Sequence, residues 1–236
     1  MTAEPKRLKP SDAGYPDALR NLFGALAAPD IWYLGNLNLF NRSGVGFCGS
    51  RHASESGLKV AADCAAQLSR GGITVISGYA AGVDMASHQA ALTSGGNTII
   101  VLPEGIDHFR IKKTIREFWN WDHVLVLSYF PRPAVWRPDR AMERNKAIVA
   151  LSKAVLVLEA GDSGGTLNAG FTALEMDRPL FVAFFDHMGD GREGNRRLIE
   201  SGGIPLQRNK FSGLAELRRM FELIGPHDPP SAIHFN

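Results

Sequence analysis

Four times along this chain an apolar run ends at a small or polar residue and a helix-like segment follows. The runs Val45-Gly46-Phe47-Cys48, Ile73-Thr74-Val75-Ile76, Thr98-Ile99-Ile100-Val101-Leu102 and Ala154-Val155-Leu156-Val157-Leu158 are apolar on successive rather than alternate residues, so both faces of each strand need cover. This pattern predicts an α/β fold: a doubly wound, mostly parallel sheet with helices on both faces. In such a sheet the carboxyl ends of the strands share one edge, where helix amino termini and small-residue loops offer backbone N–H groups to an anion. Three of the stops carry loops of that kind: Gly49-Ser50-Arg51, Ser77 to Asp84, and Asp162-Ser163-Gly164-Gly165-Thr166. The chain is built to hold a phosphorylated ligand.

Bulk properties narrow the ligand only slightly. At 236 residues and 44% hydrophobic side chains there is material for one full-sized α/β domain with a small appendage. A net charge of +2 is too near neutral for general attraction to a polyanion, so nucleic-acid binding would have to come from local clustering. Cys48 and Cys64 form no disulfide framework or metal spacing and read as packing residues of a reduced, cytosolic protein. There is no signal peptide and no long apolar span, so no membrane is expected.

Residues 1–43 read as an amino-terminal helical arm or cap, 44–225 as the sheet domain and 226–236 as a tail. Within the arm, residues 15–28 place Leu19, Leu22, Phe23 and Leu26 on one helical face, and 31–36 is a short extended piece that could join the sheet edge. Helices are expected at 55–70 (Leu58, Ala62, Ala65 and Leu68 inward), 82–93, 111–121, 139–151, 165–177 and 212–224. Strands are expected at 73–77, 98–102, 124–127, 154–159 and 180–184.

Each candidate site has a functional and a plain structural reading. Gly49-Ser50-Arg51 combines close approach, a hydroxyl donor and a planar guanidinium, with Ser54 placed to cap the next helix; the same triplet is common in turns. After Ser77 and Gly78, Gly82 allows a tight turn before Asp84 and His88, which share a helix face four residues apart. A metal would need a third ligand that is absent nearby, so this pair either braces the loop or meets ligand. Ser163-Gly164-Gly165-Thr166 is the strongest phosphate signal, with Glu159, at the end of its strand, the well-placed carboxylate near it. Residues 132–146 interleave Arg132, Arg137, Arg140, Arg144 and Lys146 with Trp136, which suits a single strand, whose bases stack while its phosphates are neutralised. Arg144, Asn145 and Lys146 are the core of that stretch. The run Arg110 to Arg116 reads as an ordinary solvated helix. No nucleophile and base set, Walker loop or dinucleotide fingerprint is present, so no cofactor is expected and binding is better supported than catalysis.

In this order the motifs resemble the DprA/Smf family of bacterial DNA-processing proteins. The pieces are Gly14-Tyr15-Pro16 with Leu19, Tyr33-Leu34-Gly35-Asn36, Gly49-Ser50-Arg51 with Ser54 and Gly57, and Ser77 to Asp84 with His88. They continue with Arg144-Asn145-Lys146-Ala147-Ile148, Leu151-Ser152, Val157 to Ala160, Ser163 to Thr166, and Glu193-Gly194-Asn195 with Leu198-Ile199. The resemblance implies an extended Rossmann fold that binds single-stranded DNA, forms dimers, and hands the strand to the recombinase RecA. It also implies that Ser50, Arg51 and Ser54 hold one phosphate, that Gly78 and Gly82 admit backbone close to the strand, that Arg144 and Lys146 neutralise neighbouring phosphates, and that Ser163 to Thr166 complete the floor. Lys146 stands where the family has a second arginine, and the chain leaves no room for the winged-helix module of many members. Two other readings from the same superfamily are a nucleotide-sensing module and a nucleoside-monophosphate phosphoribohydrolase. The latter needs an acidic residue close behind the Gly-Gly loop, and the first one after Thr166 is Glu175.

Overall fold

The computed structural model describes residues 4–184 and 193–225; the tail at 226–236 lies outside them. Among the described residues there is one nine-stranded sheet. Its strands are β1 (Lys6–Leu8), β2 (Ile31–Gly35), β3 (Gly44–Cys48), β4 (Thr74–Ser77), β5 (Thr98–Val101), β6 (Val124–Ser128), β7 (Ala154–Val157), β8 (Leu180–Ala183) and β9 (Ile204–Leu206). The order across the sheet is β1-β2-β6-β5-β4-β3-β7-β8-β9. Pairing from β6 to β9 is parallel throughout, while β2 runs antiparallel to both β1 and β6. The Rossmann-like, doubly wound, mostly parallel sheet expected from the apolar runs is the fold observed.

The first forty residues supply two strands of this sheet. The 31–36 segment is the second strand rather than its edge, and β1, only three residues long, went unseen because so short a segment shows no period.

Helices α1 (Asp17–Phe23), α4 (Pro138–Leu151), α5 (Gly165–Glu175) and α6 (Glu193–Glu200) cover one face of the sheet. The other is covered by α2 (Glu55–Arg70), α3 (Val83–Thr93) and α7 (Arg218–Ile224). Strand β3 shows why both are needed. Val45 and Phe47 enter the core on the α2 side, while Cys48 enters the one on the α4 side.

Several helical expectations need correction. Helix α1 stops at Phe23 because Gly24 takes φ 81°, and Leu26 is fully exposed instead of continuing the apolar face. In α2 the buried stripe is Gly57, Ala61, Cys64, Ala65 and Leu68, so Leu58 and Ala62 lie on its flank. Residues 111–121 form a 3₁₀ turn at Lys113–Phe118. The final helix starts at Arg218, leaving Leu214 exposed in a preceding loop. That loop is fastened to α2 by Asp63, which accepts from the Ala215 N–H at 2.7 Å, and by Gln67, which donates to the Ala215 carbonyl at 3.1 Å. Among the described residues no helix is long and apolar enough to cross a membrane.

The chain passes from β3 to β4 on one side and later returns to place β7 on the other. The carboxyl ends of β3 and β7 therefore flank a topological switch point, where doubly wound sheets open a crevice.

Candidate functional site

That crevice is a cavity of about 440 Å³. Its walls come from the end of β3 and the loop after it, as far as Arg51, from Glu159 and the loop after β7, from Ala80 and Asp84 after β4, and from Trp136 with one face of α4. Loops that sequence treats as separate phosphate candidates thus meet in one place, because β3 sits between β4 and β7.

On the β3 side, Ser54 caps α2 by accepting from the Gly57 N–H at 3.0 Å. Its own N–H and hydroxyl donate to Glu159, at 2.7 and 2.5 Å. Glu159 is 6% exposed, and a Cβ on Gly57 would lie 2.6 Å from its carboxyl carbon. The carboxylate thus locks the start of α2 to the end of β7. Ser50 is turned to its own loop, accepting from the His52 N–H at 3.0 Å.

The β4 side is an internal brace. Ser77 is buried and shares its one hydroxyl proton between the Phe47 carbonyl at 2.7 Å and Asp84 at 2.9 Å; Asp84 also accepts from the Ala80 N–H at 3.1 Å. His88 is wholly buried, with Nε2 2.5 Å from the Gly78 carbonyl and Nδ1 2.6 Å from the Thr98 hydroxyl. Because a carbonyl only accepts, Nε2 carries the proton of the neutral ring, and the one Thr98 hydroxyl proton is shared between Nδ1 and the Val75 carbonyl, 2.9 Å away. Burial pushes His88 down to about 4, against the opposing effects of Gly78 and Asp84. Of the two readings of Asp84 and His88, the geometry takes the loop brace.

Gly78 and Gly82 are required by the protein's own packing. A Cβ at Gly78 would fall 1.6 Å from Arg144 Nη1, and one at Gly82, where φ is 76°, would fall 2.2 Å from the Ser50 carbonyl oxygen. The space expected to admit a ligand is filled by Arg144 and by the Gly49-Ser50-Arg51 loop. Arg144 is 5% exposed, donates to the Val101 carbonyl at 3.2 Å, and lies 4.0 Å from Asp84. Its Nε is buried with no hydrogen-bond partner among the described residues. Lys146 is exposed and outside the lining, since residues two apart on a helix point in different directions.

The open part of the cavity is its rim. Arg51 is exposed, makes no ion pair among the described residues, and places its guanidinium 5.1 Å from the Trp136 ring centroid. Opposite stands the amino terminus of α5. A Cβ at Gly164 would meet nothing within 4 Å, and at Gly165 only the Asn145 amide at 3.5 Å. Asn145 donates to the Gly165 carbonyl at 3.1 Å and fixes this loop to α4. Ser163 and Thr166 line the same side. Two cations, Arg51 and Arg144, face two carboxylates, Asp84 and Glu159, in the lining. The carboxylates are engaged inward, so the anion-receptive surface is the rim formed by Arg51 and the first turn of α5.

Sequence reasoning missed the apolar rim made by Pro138 and Met142, for which no motif exists; only the strand order brings α4 across the crevice mouth. Cys48 also lines the cavity, but burial, with Asp84 adding, pushes its thiol up to about 12, so it is un-ionised and inert.

A family model described as DNA recombination-mediator protein A matches residues 6–212. The DNA processing protein DprA of Streptococcus pneumoniae is 32% identical over 210 residues, covering 85% of this chain and 73% of that protein. The Smf protein of Escherichia coli is 31% identical over 176 residues, covering 72% of this chain and 46% of its own length. Coverage of the Synechocystis and Bacillus subtilis relatives is 45% and 65% of their lengths. The crystal structure of S. pneumoniae DprA superposes with a TM-score of 0.75 at 30% identity, over 85% of this chain and 70% of that one. A Helicobacter pylori DprA, described for its single-stranded DNA binding mode, gives 0.72 at 22% identity over 86% of this chain and 91% of that one. With a matching family model over most of its length and a fold shared with S. pneumoniae DprA, this chain belongs to the DprA/Smf family of DNA-processing proteins.

Proposed function

We propose that this protein binds single-stranded DNA without chemistry, holding backbone phosphates at the rim of the crevice between β3 and β7. The observation that carries this reading is the pairing of an exposed guanidinium with an aromatic ring, Arg51 on Trp136, across from the open Gly164-Gly165 turn of α5. A phosphate between them would meet a planar charged donor on one side and backbone N–H groups on the other, while Trp136, 44% exposed, offers a face to a base. The H. pylori relative is described for binding a single strand, which supports the same ligand here. Of the groups expected to hold phosphate, Arg51, Ser163, Gly164, Gly165 and Thr166 face the rim; Ser50 and Ser54 position it; Ser77, Gly78, Gly82, Asp84, His88, Asn145 and Arg144 form the scaffold behind it. Bond-breaking would need a carboxylate aimed at a sugar or a water, whereas Asp84 and Glu159 accept from Ser77, Ala80 and Ser54. Dimer formation and hand-over to a RecA-type recombinase extend this reading, on family membership.

Fluorescence anisotropy of labelled oligo-dT of several lengths, for wild type and Arg51→Ala at low and moderate salt, tests it. Length-dependent, salt-sensitive binding that weakens at least tenfold in the variant is expected. Absence of binding at every length, or saturation by a mononucleotide, would overturn it and favour a nucleotide sensor.

A further inference from the structure

Between residues 110 and 117 the chain carries Arg110, Lys112, Lys113 and Arg116 against a single carboxylate, Glu117. The solvated helix expected there is not formed. Residues 110–112 have no regular secondary structure, Lys112 being extended, and Lys113–Phe118 is a 3₁₀ turn, anchored by fully buried Ile115 and by half-buried Ile111 and Phe118. The segment is also tied to the crevice. The Tyr79 hydroxyl accepts from the Lys112 N–H at 3.0 Å and donates to the Arg110 carbonyl at 3.3 Å; Lys112 Nζ donates to the Tyr79 carbonyl at 2.6 Å and sits 4.4 Å from its ring centroid. The next residue, Ala80, is cavity wall.

None of the four cations makes an ion pair among the described residues. The side-chain donors of Arg110 and Arg116 go to the carbonyls of Asp107, Phe109 and Ile111, which leave the charge uncompensated. Lys112 is the pin: it is half-buried, and burial lowers its pKa while Asp84 and Glu104 oppose that. Arg110, Lys113 and Arg116 are exposed. A 3₁₀ turn has three residues per turn, so Lys113 and Arg116 stand one above the other about 6 Å apart. That spacing suits successive phosphates of an unstacked strand. An ordinary solvated helix face would instead interleave carboxylates at four-residue spacing.

We infer that Arg110, Lys113 and Arg116 form a second phosphate track, which carries a single strand out of the crevice over Tyr79 and along the outer side of the molecule. The inference rests on the single-strand reading of the rim and assigns to this track the gain in affinity with strand length.

The test compares wild type, Lys113→Glu/Arg116→Glu, Lys113→Arg/Arg116→Lys and Arg51→Ala in anisotropy with oligo-dT of roughly 5 and roughly 20 nucleotides. The track predicts that the double glutamate variant holds the short strand like wild type, binds the long one at least tenfold more weakly, and loses about 1.4 from its log-affinity against log-salt slope. The charge-preserving variant should bind both like wild type. Equal binding of the long strand by wild type and the double glutamate variant overturns the track and leaves the rim reading intact if Arg51→Ala still loses both strands. Arg51→Ala behaving as wild type overturns the rim reading, and a wild type that binds neither strand overturns both.

Discussion

Gly78 and His88 show how a residue can look like a ligand contact and serve the scaffold instead. Gly78 is glycine because Arg144 occupies the place of its side chain, and its carbonyl is the partner of His88. Gly78→Ala should therefore destabilise the fold by about 2–3 kcal/mol. Gly161→Ala should be near neutral, since its Cβ would meet only the Ser163 carbonyl oxygen at 3.8 Å; chemical denaturation of both variants checks the contrast. His88 adds a pH dependence. The unfolded chain binds its proton near 6.5, whereas the folded site resists it down to about 4. Stability due to this group is intact above about 6.5 and falls as pH drops toward about 4, by roughly 3 kcal/mol. The difference in unfolding free energy between wild type and His88→Gln, measured from pH 7.5 to 4, should shrink by that order across the window. A difference that stays constant would place the proton elsewhere.

At the scale of elements, the start of α2 matters most, because it carries the Gly49-Ser50-Arg51 loop. Ser54→Ala removes both the cap of α2 and the hydroxyl's bond to Glu159, and leaves only the backbone N–H bond to that carboxylate. A loss of about 1–2 kcal/mol is expected in thermal or denaturant unfolding, together with weaker strand binding as Arg51 loses its fixed base. The bounds of this element are legible in the sequence: a serine precedes it and Gly71-Gly72 follows it, and Gly72 takes φ 78°. What was not legible is what elements do to each other. The strands β3, β4 and β7 each read clearly as apolar runs, but nothing in them says that β7 returns beside β3. The union of three loops in one crevice had to come from family likeness or from structure. Lys146 shows the same limit: two residues from Arg144 in sequence, it is exposed on α4 and outside the cavity lining. The 3₁₀ segment is not legible either: its apolar residues at 111, 115 and 118 also fit a helical period, and packing against α3 and Tyr79 sets its geometry.

For the whole molecule, a net charge of +2 means that long-range attraction cannot hold a polyanion. Binding must then be governed by the few phosphates that touch unpaired cations, and the salt dependence counts them. Each phosphate neutralised on a single strand contributes about 0.7 to the slope of log affinity against log salt. Arg51 should account for one such step, so Arg51→Ala lowers the slope by about 0.7. Lys59→Ala should leave it unchanged, because Lys59 is paired with Glu55 at 2.6 Å outside the crevice lining. Backbone contacts and a stacking face carry no sequence code, so oligo-dT and mixed-sequence strands of equal length should bind within a few-fold of each other once self-structure is avoided. A titration from low to moderate salt on both strand types decides the matter. A shallow slope with strong sequence preference would mean that the crevice reads bases rather than phosphates, and that Trp136, not Arg51, is its principal contact.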